Sequence, residues 1–156
     1  MLKLRIVAIG KDKQSWVSDG ISHYTKLLSK YAELDIRTIA DTKTSASQSP
    51  PEIKAGQAAQ FEKHLSKGLV VALSDRGKEY DSTTFAKLLE RARITSGGTI
   101  TFLIGGPYGL DDSLIKKADH VVSLSRLTFS HQVVRLVLLE QIYRAFSILA
   151  GTDYHK

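Results

Sequence analysis

Along the chain, short apolar runs alternate with segments whose apolar residues recur every three or four positions, which predicts alternating strands and helices. Leu2 to Ile9 reads as a buried strand, followed by a helix over about Lys13 to Tyr31 with Trp16, Val17, Gly20, Ile21, Tyr24, Leu27 and Leu28 at helical spacing. Leu34 to Ala40 reads as a second strand. The segment Asp41 to Pro51, rich in Ser and Thr and ending in two prolines, is the one loop long enough to be mobile. A second helix then runs to about Lys67, with Gly68 as its C-terminal cap, and Leu69 to Leu73 is a continuous apolar run of the kind found in a sheet covered on both faces.

The same alternation continues in the second half. Asp81 and Ser82 are N-cap candidates for a helix carrying Phe85, Leu88, Leu89 and Ala92, which Gly97 and Gly98 end. Thr99 to Ile104 predicts a fourth strand, a short helix starts near Asp111, His120 to Leu124 predicts a fifth strand, and a last helix spans His131 to about Ala150. Strands and helices in this succession predict an α/β fold, with a largely parallel sheet flanked by helices and ligands at the carboxyl ends of strands. No internal repeat or composition break divides the chain, so residues 1–156 form one domain. The last helix is apolar in nearly every direction, including Val133, Leu136, Val137, Leu138, Ile142, Phe146 and Leu149. Such a helix must be covered all round, and a second subunit is the expected cover, which predicts a homodimer; the alternative is a helix threaded through the middle of the monomer.

Composition narrows the class. No apolar run approaches the ~20 residues that cross a bilayer, and the opening strand, with Lys3 and Arg5 inside it, lacks the zones of a signal peptide, so a cytoplasmic protein is expected. The absence of cysteine removes disulfides, thiolate nucleophiles and cysteine-based zinc sites. A net charge of +6 biases encounters toward polyanions, or serves solubility alone, and it is spread without a basic tail.

Familiar catalytic signatures are missing: no GxGxxG, Walker lysine loop, GxSxG elbow or HExxH helix is present, and the five scattered histidines give no support for a metal. Two strand-end loops remain. The first, Gly105-Gly106-Pro107-Tyr108-Gly109, follows an apolar strand and lets bare backbone approach a ligand, although glycine-rich turns are also common for purely structural reasons. The second runs from Leu124 through Ser125, Arg126, Leu127, Thr128 and Phe129 into the last helix, offering amides, hydroxyls and a ring at the same sheet edge, with Leu73 expected beside both. On the last helix, His131 precedes Arg135, and Glu140 precedes Arg144, by four residues; polar groups in so apolar a helix are either paired or used.

The GGPYG run, the stretch LSRLTFSHQVVRLVLLEQIYRA and the closing Tyr154-His155-Lys156, together with Val7-Ala8-Ile9-Gly10 and the Leu73 strand end, resemble the RlmH-type family of SPOUT-class methyltransferases over the full length. The Asp41–Pro51 loop and Asp153 carry no part of the match. The resemblance implies transfer of a methyl group from S-adenosylmethionine to N3 of a pseudouridine in large-subunit ribosomal RNA, on assembled ribosomes, by a homodimer. It also implies a C-terminal trefoil knot, a rare exception to unthreaded topology. Its cofactor contacts would be Leu73, Gly105, Leu124, Ser125, Arg126, Leu127, Thr128 and Phe129. Arg144 is then assigned to stabilising imide charge, His155 to accepting or relaying the N3 proton and Tyr154 to binding the base, with His131 a further candidate. A noncatalytic dimeric module that binds RNA or a nucleotide through the glycine loop explains charge, fold and loop equally well, but not the co-occurrence of both loops with the Tyr-His ending. A flavodoxin-like or phosphorelay receiver is excluded because the first strand ends in Gly10-Lys11, without the acidic cluster a receiver needs.

Overall fold

The computed structural model describes residues 1–41, 47–65 and 67–156. Residues 42–46, the centre of the loop expected to be mobile, lie outside the described residues. The elements in chain order are β1 (Leu2–Ile9), α1 (Ser15–Leu28), β2 (Ala32–Ile39), α2 (Pro50–Glu62), β3 (Leu69–Glu79), α3 (Ser82–Thr95), β4 (Thr99–Ile104), α4 (Asp112–Lys117), β5 (His120–Ser123) and α5 (His131–Leu149). All strand pairs are parallel, in the order β2-β1-β4-β3-β5.

Alternation along β1 sorts the two cores. Leu4, Ile6 and Ala8 join Val71, Ile100 and Phe102 under α1, α3 and α5, whereas Val7 and Ile9 join Ala72 and Leu103 under α2 and α4. The expected three-layer α/β arrangement is therefore present, and α5 packs on one sheet face against both α1 and α3. Leu138, Leu139 and Ile142 are fully buried, which gives roughly 5 to 9 kcal/mol of transfer free energy to hold α5 on the sheet. Its outer side is less covered: Val133 is 36% exposed, and Val137, Glu140 and Arg144 are half-buried.

Local chemistry sets the helix ends. Ser130 caps α5 by accepting from the Val133 amide, Asp81 caps α3 through the Thr84 amide, and Asp111 caps α4 through Ser113. Pro50 and Pro51, which the sequence pattern places at the end of the preceding loop, instead occupy the first two positions of α2 behind a Ser49 cap, where a missing N–H costs nothing. That helix stops at Glu62 and is capped by Lys63, so Gly68 is not its cap.

The strand expected to end at Leu73 continues to Glu79. Leu73 pairs with Val122, the chain bulges outward over Ser74–Gly77, and Lys78 returns to pair with the same Val122. Gly77 permits the return, since a Cβ there would lie 2.7–2.8 Å from the backbone of Val121 and Val122.

Arg135, 1% exposed, joins α5 to the end of β1. It ion-pairs with Asp12 at 2.5 Å and donates through Nη2 to the carbonyls of Ile9 and Gly10, both at 2.7 Å. The sequence shows only that Arg135 follows His131 by four residues; the fold pairs Arg135 with the loop after β1, which makes it a clamp between distant segments.

Candidate functional site

The carboxyl ends of β3, β4 and β5 enclose a cavity of about 950 Å³. Leu73 and the Ser74–Arg76 bulge form one wall, Ile104 to Leu110 a second, and Leu124, Ser125 and Leu127 to His131 a third. The two loops singled out in the sequence thus face each other across a common space, and its volume lies within the ~300–1,000 Å³ of small-molecule sites.

Each wall is held by its own bonds. The Gly109 amide donates to the Gly106 carbonyl at 3.0 Å, closing the glycine turn. A Cβ at Gly105 would lie 2.5 Å from the Gly109 carbonyl carbon, so the turn closes only over a residue without a side chain. In the facing loop the Ser123 hydroxyl donates to the Ser125 carbonyl at 2.9 Å, and the Leu127 amide donates to the Ser125 hydroxyl at 3.0 Å. Leu127 is nevertheless 73% exposed and Tyr108 54%, so apolar and aromatic surface stands open around the mouth.

Of the predicted contacts, Leu73, Gly105, Leu124, Ser125, Leu127, Thr128 and Phe129 line the cavity, and Arg126 does not. The Arg126 side chain is 87% exposed and approaches Glu79 at 3.9 Å. Sequence reasoning missed the bulge residues Ser74, Asp75 and Arg76, and Lys54, Asp112 and Ile115 from the helices of the opposite layer. A polar run closed by Gly77 directly after an apolar strand was the available signal for the bulge; nothing in the local pattern marks Lys54.

Of the four catalytic candidates, only His131 lines the cavity. Arg144, Tyr154 and His155 gather near the other end of α5, thirteen residues on from His131 and about 20 Å away along the helix. Glu140 is the centre of that cluster. Its Oε1 accepts from Arg144 Nε at 3.0 Å and Nη2 at 2.5 Å and from the Tyr154 hydroxyl at 3.0 Å, while Oε2 accepts from Gln141 at 2.6 Å. Gln141 in turn accepts from Ser82 of α3 at 3.0 Å. Arg144 Nη1 lies 3.2 Å from His155 Nδ1, and the guanidinium sits 4.8 Å over the Tyr154 ring. Burial, followed by the hydrogen bond to Glu140 and its charge, pushes the Tyr154 phenol up to about 12. Burial and the Glu140 charge also raise the phenol of Tyr24 on α1. Both phenols are thus held in their neutral form. Among the described residues no group of carboxylates or histidines is arranged to hold a metal, and no helix is long and apolar enough to cross a membrane.

A family model described as "Predicted SPOUT methyltransferase" matches residues 2–155. The chain belongs to the SPOUT methyltransferase family. SPOUT relatives extend over its whole length: the "Ribosomal RNA large subunit methyltransferase H" of Clostridium botulinum (strain Kyoto / Type A2) is 40% identical, covering 99% of this chain and 100% of that protein. The protein of the same description from Streptococcus gordonii is 39% identical with the same coverage. A solved structure described as a probable methyltransferase from Bordetella pertussis Tohama I superposes with a TM-score of 0.56 at 17% identity, over 90% of this chain and 92% of that one, so the fold is shared although most side chains differ.

Proposed function

We propose that this protein transfers a methyl group from S-adenosylmethionine to N3 of a pseudouridine in large-subunit ribosomal RNA, as a cytoplasmic homodimer acting on assembled ribosomes. The observation that carries the reading is the single cavity formed by the glycine turn and the Leu124–Phe129 loop. Its chemistry suits the cofactor: Leu73, Ile104, Leu124 and Phe129 offer apolar surface for a purine, and Ser125, Thr128 and backbone amides offer hydrogen bonds to sugar and amino-acid groups. Lys54, Arg76, Asp75 and Asp112 at the rim supply charges of both signs for a zwitterion. Bound there, S-adenosylmethionine would supply an electrophilic methyl group.

The chain's own contribution is placement and electrostatics, and positioning alone can supply ~7 to 11 kcal/mol of a transfer barrier. N3 of pseudouridine lies between two carbonyls, so negative charge develops on both oxygens as the nitrogen becomes nucleophilic. Arg144 is suited to meet that charge, and Tyr154 to bind the base. The ~20 Å between this cluster and the cavity within one chain favours a dimer in which one subunit's cluster serves its partner's cavity. The incompletely covered outer stripe of α5 is the surface proposed to bury that contact. The C-terminal knot implied by the family resemblance belongs to the same proposal.

The deciding experiment combines calorimetry with S-adenosylmethionine and mass mapping of ribosomal RNA, from cells lacking the protein and after treatment with purified enzyme. Binding, and one methylated pseudouridine restored in vitro, is the expected result; a chain that binds neither cofactor nor ribosome would fail the proposal. Phosphate contacts from Lys and Arg should also make ribosome binding weaken steeply with salt.

A further inference from the structure

The polarity of the hydrogen bonds around Arg144 fixes more than the position of His155. A guanidinium only donates, so a ring nitrogen bonded to it must accept. Glu140 occupies Arg144 Nε and Nη2, which leaves the Nη1 arm of the planar fork directed at His155 Nδ1, 3.2 Å away. With its lone pair on Nδ1 committed, the neutral ring carries its proton on Nε2. A ring in that state has no free lone pair for a substrate proton, but it has a free N–H. Tyr154 offers no base either, because its hydroxyl donates to Glu140.

We propose that Glu140 is a positioning residue that, by holding Arg144, sets His155 in the Nε2–H tautomer, so that His155 donates a hydrogen bond to a carbonyl oxygen of the target base instead of removing its proton. This rests on the functional reading above and replaces the proton-accepting role first assigned to His155. The imide proton then leaves to solvent water. The Nε2–H and the remaining N–H groups of Arg144 meet the charge that develops on the carbonyls flanking N3. Glu140 does this without touching the base, held in turn through Gln141 by Ser82 of α3.

Two measurements test it on the full chain. A long-range nitrogen–proton correlation spectrum, recorded where the ring is neutral, should show His155 protonated on Nε2 and bare on Nδ1, and Glu140→Ala should give a mixture of tautomers. A wild-type proton on Nδ1 would overturn the proposal. In methylation assays on large ribosomal subunits, His155→Gln, whose amide nitrogen stands where Nε2 stood, should recover tenfold or more of the rate lost in His155→Ala. Glu140→Ala should lower kcat tenfold or more while KM for the ribosome changes less than threefold. A glutamine variant as slow as alanine, or a folded Glu140→Ala protein with wild-type kcat, would sink the assignment. Glu140→Gln, which keeps an acceptor oxygen for Arg144, should fall between these limits and guards against a folding defect in the alanine variant. If wild-type protein methylates no ribosomal RNA, the functional reading fails, while the spectrum still decides the tautomer.

Discussion

Replacing Asp12 by alanine removes the carboxylate that answers Arg135, a residue with only 1% of its surface in water. Arg135 would keep its bonds to the Ile9 and Gly10 carbonyls, but its charge would be left in a low-dielectric site without a counter-ion. Removing one partner of a buried pair costs about 3 to 5 kcal/mol. Asp12 is itself 23% exposed, which admits water to the vacated space and places the expected loss near the lower bound, about 3 kcal/mol. For a chain of this length that corresponds to a fall in Tm of roughly 6 to 12 °C. Asp12→Asn keeps an acceptor oxygen and removes the charge, so it should cost about half as much, on the order of 1.5 kcal/mol. Equilibrium urea unfolding at one fixed protein concentration measures both, and an unchanged slope with a lowered midpoint would assign the loss to the folded state. If Asp12→Ala costs less than about 1 kcal/mol, the pair behaves as a surface ion pair and the clamp between α5 and β1 has been misjudged.

Gly105→Ala should abolish cofactor binding by calorimetry while preserving far-ultraviolet dichroism, because its Cβ would meet the Gly109 backbone at 2.5 Å and push the turn into the cavity. Asp35, whose burial opposes ionisation but is outweighed by hydrogen bonds from Arg5 and Arg37, has its carboxyl held below the usual range. Its stabilisation is therefore complete above the ordinary carboxylate value of about 4 and is lost as pH falls through the lower folded value. Asp35→Asn should flatten the acid side of the stability curve in pH-dependent thermal melts, and an unchanged acid limb would refute the pairing. Val133→Glu, placing a charge on the outer stripe of α5, should shift the protein toward monomer in sedimentation equilibrium and lower methylation with it; dimers of wild-type strength would exclude that stripe from the interface.

The sequence was most legible where one physical requirement governed a run of residues. Strands β1 and β4 are buried on both faces, so their apolar runs carry their own boundaries, and Asp81 and Asp111 mark the starts of α3 and α4 by supplying an acceptor where orphan amides need one. The cavity was legible through its loops because a glycine at 105 and hydroxyl residues at 125 and 128 stand together at strand ends, where they line the cavity. What stayed hidden depends on pairing between distant segments. Nothing local distinguishes Arg135, held by residues 9, 10 and 12, from Arg144, held by Glu140 one turn earlier. The length of β3 was hidden for the same reason: Lys78 and Glu79 are strand residues because β5 receives them, and their own side chains give no apolar signal.

The outward turn at Ser74–Gly77 begins and ends at the same rung, opposite Val122. Its ends are thus tied by sheet bonds already formed in the folded chain, and the entropy of closing so small a loop is spent during folding rather than when a ligand arrives. One wall of the cavity is therefore preorganised, which lowers the ordering cost of association and makes dissociation, more than capture, the step through which changes in this wall would alter affinity.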